Sequence, residues 1–143
     1  MYSRKDFGSG SSSLLKPENN DFTITSPVEI VSLDRFINTN NIYNPKILKI
    51  DVEGWEHNVL KGATNLLRQK NAPIIIIEHS NLTSSKSNNV LNSHKLITNL
   101  NEYKPHKLKY GKEIPSQLIE IRNNFDFPEH DNLFYLLPHH VKI

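Results

Sequence analysis

Two short stretches hold the residues best suited to chemistry, Lys49-Ile50-Asp51-Val52-Glu53 and Ile77-Glu78-His79. Each closes an apolar run with ionisable groups. Extended chain alternates its faces, so Lys49, Asp51 and, if the strand continues, Glu53 share one face while Ile50 and Val52 take the other. A carboxylate in that position can orient an acceptor hydroxyl or take its proton. Lys49 interrupts an otherwise apolar strand. Burying an ammonium is costly unless it is paired, so Asp51 or Glu78 is expected beside it. The same acids could serve structure alone, as helix caps or as a Lys–Glu pair across two strands. Trp55, just beyond, suits core packing as well as a substrate platform.

A metal site is the sharper alternative. Asp51, Glu53, Glu78 and His79 could supply an oxygen-rich site for a divalent ion, and Glu53 and His57 have i, i+4 spacing. No tight ligand motif such as HExxH is present, so the expectation is a site without metal. Ser-His-Asp hydrolysis has little support, because no GxSxG elbow follows a strand. Gly8-Ser9-Gly10 lacks the apolar strand that a phosphate cradle follows.

These residues need elements to hold them. Lys46–Asp51 reads as a buried strand. From Trp55 a helical face follows, with Val59, Ala63, Leu66 and Leu67. Pro73 opens Ile74-Ile75-Ile76-Ile77-Glu78-His79, a β-branched run expected to be covered on both faces, as in a parallel sheet. Strand, helix and strand make a βαβ unit, whose strand ends gather ligands on one rim. Upstream, Phe22–Thr25 is a short edge strand and Val28–Val31 another. Ser32 caps a helix with Leu33, Phe36 and Ile37 on one face. Downstream come a polar loop over 80–89, a helix over 90–100, a strand over 107–110, a short helix within 114–123 and a last strand over 132–137.

The chain has 143 residues, about one domain's worth, with 36% hydrophobic residues and a formal net charge of +2. That charge is too small for a dedicated nucleic-acid binder. The most basic stretch, Lys104 to Lys112, reads as a solvated sheet face. The chain has no cysteine, which excludes disulfides, thiolate metal sites and cysteine nucleophiles. No apolar run is long enough to span a bilayer and the N-terminus lacks a signal-peptide core, so a cytoplasmic location is the default.

The run Val31-Ser32-Leu33-Asp34-Arg35-Phe36, then Ile47-Leu48-Lys49-Ile50-Asp51-Val52-Glu53-Gly54-Trp55-Glu56, then Val59-Leu60-Lys61-Gly62-Ala63, then Pro73 to Glu78 resembles the FkbM family of methyltransferases. The resemblance is strong over residues 28–79. Gly10-Ser11-Ser12-Ser13-Leu14 also looks like the stretch that precedes this region in the family. It implies an α/β fold: part of a Rossmann-like methyltransferase sheet, mostly parallel with a closing antiparallel strand, and helices on its faces. Lys46–Asp51 and Pro73–Glu78 would be the fourth and fifth of seven strands. The resemblance implies S-adenosylmethionine as methyl donor and a small-molecule hydroxyl, on a sugar or lipid, as acceptor. Asp51, Glu53 and Glu78 would be catalytic, with Lys49, Trp55 and His79 binding substrate. The family's glycine-rich cofactor loop is not among these residues. The expected organisation is a loop-rich segment over 1–27, the C-terminal half of a methyltransferase domain over 28–138 and a tail over 139–143. Such a half-domain, truncated at its N-terminus, would self-associate or need a partner chain carrying the earlier strands. It could also be a non-catalytic remnant that binds a partner.

Overall fold

The computed structural model describes residues 2–4, 22–24, 27–52, 54–80, 84–111, 114–123 and 126–141. Its central feature is a five-stranded sheet. Strand β3 (Ile47–Ile50) pairs in parallel with β4 (Ile74–Ser80), from Ile47 opposite Ile74 to Ile50 opposite Ile77. Strand β7 (His130–Leu136) lies on the other side of β4, and β5 (Lys104–Leu108) and β6 (Leu118–Glu120) follow, giving the order β3-β4-β7-β5-β6. A separate hairpin joins β1 (Tyr2–Arg4) to β2 (Phe22–Ile24).

The sheet is therefore mostly antiparallel, which corrects the expectation of a mostly parallel one. Only β3 and β4 pair in parallel; β4–β7, β7–β5 and β5–β6 are all antiparallel. The cause is the position of β7. Strands β4 and β5 run the same way, but the last strand inserts between them and turns one parallel neighbour relation into two antiparallel ladders.

The β-branched run is not covered on both faces. Ile75, Ile77 and His79 are buried at 0%, 6% and 2% exposure, while Ile74, Ile76 and Glu78 on the other face are only partly covered. One face of β4 is core and the other is half open. The covering layer is α2 (Glu56–Lys61), α3 (Thr64–Leu67) and α4 (Ser84–Leu100), which place Leu60, Ala63, Leu67 and Ile97 on Ile50 and Ile75. Tyr103 ties β5 to this layer, its hydroxyl donating to the Pro73 carbonyl at 2.6 Å.

The helical pattern from Trp55 forms two short helices in place of one, broken at Gly62 and Ala63. A Cβ on Gly62 would meet the Ser32 backbone and side chain at 3.3 Å, so the break is where α1 (Leu33–Thr39) approaches. Ser32 caps α1 as expected, its hydroxyl accepting from the Arg35 N–H at 3.3 Å. Asp34 reaches across to α3. Its carboxylate accepts from the Asn65 and Leu66 N–H groups at 2.9 and 3.0 Å, a cap that Ala63 at the helix start has no side chain to make.

Three other elements differ from expectation. Val28–Val31 is no strand; it has no ladder partner among the described residues, and Val28, Ile30 and Val31 are exposed. The region after Pro115 forms β6 instead of a helix. Gly111, at φ 75°, turns the chain back so that Leu118–Glu120 can pair with β5. The loop expected over 80–89 gives way to α4 from Ser84. No helix among the described residues is long and apolar enough to cross a membrane.

Candidate functional site

Strands β3 and β4 end on one rim, and β7, running the other way, starts there. Continuing the parallel register sets Asp51 level with Glu78, and Glu78 pairs with Asn132 on β7. Lys49, Asp51 and Glu78 thus share the half-open face. Lys49 Nζ donates to Asp51 Oδ2 at 2.7 Å. That hydrogen bond, then the charge of Asp51 and lastly that of Glu78, holds the ammonium above its ordinary range. The expected pairing of Lys49 exists, but the ammonium is exposed because this face is open. Glu78 Oε1 lies 3.8 Å from His130 Nε2, which extends this polar cluster across three strands.

Beyond Asp51 the chain turns sharply. Gly54, at φ 100°, adopts a backbone that side chains disfavour, and the Trp55 N–H donates to the Val52 carbonyl at 3.3 Å. Glu56 Oε1 accepts from the Gly54 N–H at 3.0 Å, so this acid secures the turn. Glu53 lies outside the described residues, as do Gly8-Ser9-Gly10, Gly10 to Leu14 and Lys112. Trp55 is half buried, and its Nε1–H is buried with no hydrogen-bond partner. His57 Nδ1 is in the same condition. Burial and the nearby Lys61 hold the His57 imidazole below its usual range.

His79 follows Glu78 in sequence but faces the opposite way, into the core. It is 2% exposed, directly across from buried Asp131 on β7. Neither ring nitrogen makes a well-formed hydrogen bond. Burial lowers its pKa, and a looser contact with the Pro128 carbonyl opposes this only in part. Phe127 stands edge-on to His79 and His94, with ring centroids 6.2 and 5.3 Å away. Burial lowers the His94 pKa too.

Sequence reasoning did not find His130, because only the insertion of β7 beside β4 brings it to Glu78. It weighed His57 solely as a metal partner of Glu53. Among the described residues no group of three or more His, Cys, Asp or Glu could hold a metal ion. The basic stretch after Tyr103 is occupied locally: Lys104 lies 3.7 Å from Glu120, and Lys107 Nζ donates to the Asp126 carbonyl.

The profile of the Methyltransferase FkbM domain matches residues 2–136. The chain belongs to the FkbM methyltransferase family. It is also similar to a hexuronic acid methyltransferase, AglP of Haloferax volcanii, with 33% identity over 73 residues. That match takes in 51% of this chain, and the chain spans 30% of the length of AglP. No solved structure matches the chain.

Proposed function

We propose that this chain takes part in S-adenosylmethionine-dependent methylation of a hydroxyl group, with the β3–β4 rim as the reacting edge. The observation that carries the reading is the Lys49–Asp51–Glu78 cluster on the half-open face, in a chain of this family. The residues at the rim fit the donor. Its sulfonium and amino groups are cationic, which suits two adjacent carboxylates. The buried, unpartnered Trp55 Nε1–H and His57 Nδ1 suit a polar ligand at the turn. When bound, S-adenosylmethionine supplies an electrophilic methyl group.

Asp51, fixed by Lys49, is held as a hydrogen-bond acceptor. It would orient the acceptor O–H and take its proton as the acceptor oxygen is methylated. Glu78 shares this role from β4, and Glu53 is the third acid of the set. Lys49 and Trp55 contact the acceptor at the rim. His79, on the core side of β4 and in loose contact with the Pro128 carbonyl, is the remaining residue proposed to bind substrate. The acceptor is a hydroxylated small molecule, a sugar or lipid, and a hexuronic acid is one candidate because AglP is named for it. Residues 28–138 would be the functional part. Strand β3 has no partner on its outer side among the described residues, so a second copy or a partner chain would pair there.

The test is transfer of labelled methyl from S-adenosylmethionine to a panel of uronic acids, neutral hexoses and hydroxylated lipids. Asp51→Asn should lower transfer while leaving circular dichroism unchanged. Full activity in that variant, with a demonstrated acceptor, would refute the assignment.

A further inference from the structure

The opposite end of β3 carries a second feature. A cavity of about 260 Å³ lies between the end of α1, the turn over residues 40–45 and the end of α3. Its polar lining residues are Asn38, Asn41, Asn44 and Gln69, all bearing side-chain amides, with Tyr43 at its mouth. The remaining lining is aliphatic, Leu66 among it. Among the described residues that line the cavity none is acidic, basic or a histidine. Tyr43 is 83% exposed, a flat ring held out in solvent. It stands between Asn41 and Asn44, whose φ values of 52° and 54° hold the turn in the left-handed region that Asn tolerates better than most residues. Asn44 is anchored, its Oδ1 accepting from Asn71 Nδ2 at 2.7 Å, which leaves its own N–H groups to donate.

A carboxamide offers one acceptor and two donors without charge. Four of them arriving from three chain segments can bond polar groups distributed around a ligand. That pattern fits a pyranose ring, whose hydroxyls surround its perimeter and both donate and accept. A nucleobase holds its polar atoms in the plane of a flat aromatic ring and has no perimeter of hydroxyls that each both donate and accept. The aliphatic wall and the Tyr43 ring suit the apolar C–H faces of a sugar. The volume is below the roughly 300–1,000 Å³ typical of drug-sized ligands, so one ring is the natural occupant.

We propose that this cavity is a binding site for a single neutral sugar ring, separate from the rim that carries Asp51 and Glu78. It would hold one residue of a longer glycan, or a free monosaccharide, at the far end of β3. The proposal does not rest on methyl transfer.

The experiment is an NMR titration of the 143-residue chain with a neutral methyl hexopyranoside, with sodium glucuronate and with adenosine. The neutral glycoside should shift the side-chain amide resonances of Asn38, Asn41, Asn44 and Gln69 saturably, with a dissociation constant on the order of 1–10 mM, which corresponds to about −3 to −4 kcal/mol. Tyr43→Ala and Gln69→Ala should each weaken it about tenfold or more, which corresponds to about 1.4 kcal/mol. Both side chains lie outside the core, and unchanged backbone resonances elsewhere would show that the variants fold. No saturable shifts at these amides, unaltered affinity in both variants, or preferential binding of adenosine or glucuronate would each overturn the proposal.

Discussion

Replacing Asp34 with alanine should loosen the packing of α1 on the helical layer, by an amount the geometry sets. The Asp34 carboxylate accepts two backbone N–H groups at the start of α3, Asn65 at 2.9 Å and Leu66 at 3.0 Å. Ala63 supplies no side-chain cap, so Asp34→Ala leaves both donors without their acceptor. The Asn65 bond is exposed and water can replace it at little cost. The Leu66 bond is partly buried, and Leu66 itself is 3% exposed. A lost cap costs about 0.5–2 kcal/mol, and a bond to a charged group about 1.5–3 kcal/mol. Discounting the exposed bond gives about 2 kcal/mol. For a domain of this size that corresponds to a Tm lower by about 4–8 °C. Asp34→Asn keeps one acceptor oxygen and should lose about half as much. Urea and thermal unfolding followed by circular dichroism measure both. A change below about 0.5 kcal/mol in Asp34→Ala would refute the reasoning, because surface substitutions with no structural role fall in that range.

Three more outcomes follow from the same structure. Asp51→Asn should reduce turnover by about 10²–10⁴-fold if this carboxylate handles the acceptor proton, and equal turnover would assign it to structure. His79 and His94 have pKa values lowered chiefly by burial, so the unfolded chain binds more protons than the folded one once pH falls below the ordinary imidazole range. Their effect is absent above that range, and stability should fall as pH drops through the ordinary imidazole pKa of about 6.5, more steeply than in His79→Gln; parallel profiles for the two proteins would contradict this. The outer side of β3 should support pairing between copies, read as concentration-dependent sedimentation, and a monomer at tens of micromolar, with slow amide exchange over Ile47–Ile50, would show that side to be closed.

What the sequence revealed was local. Ile47–Ile50 and Ile74–Ser80 were legible as short, largely apolar runs bounded by turn residues, and their parallel pairing follows from the helical segment between them. The Lys49–Asp51 contact was legible because i, i+2 alternation brings the two together on one face. Strand order was not legible. Periodicity cannot tell that β7 slips between β4 and β5, and both the antiparallel character of the sheet and the Glu78–His130 approach depend on that step. The half-open face of β4 was also hidden. An all-isoleucine run looks buried on both sides, and only the placement of helices over Ile75 and Ile77 distinguishes them from Ile74 and Ile76. At β6, Pro115 was a fair helix-start signal, but the ladder to His106–Leu108 outweighed it.

The residues that carry the family resemblance divide by physical task. Ser32, Asp34 and Gly62 make structural contacts. Ser32 starts α1, Asp34 caps α3, and Gly62 is the close approach that lets the first reach the second. The Asp34 N–H also donates to the Gly62 carbonyl at 2.8 Å, so these motif pieces, far apart in sequence, form one clamp. That clamp ties α1 to the helical layer whose Leu60, Ala63 and Leu67 pack with Ile50 and Ile75. The second group, Lys49, Asp51, Gly54 and Glu56, shapes the end of β3. Lys49 holds the Asp51 carboxylate, Gly54 supplies the turn, and Glu56 secures it. A substitution in the first group should therefore lower stability before it alters any transfer activity, and one at Lys49 or Asp51 should do the reverse. Sorting variants by that order separates the residues that position the rim from those that use it.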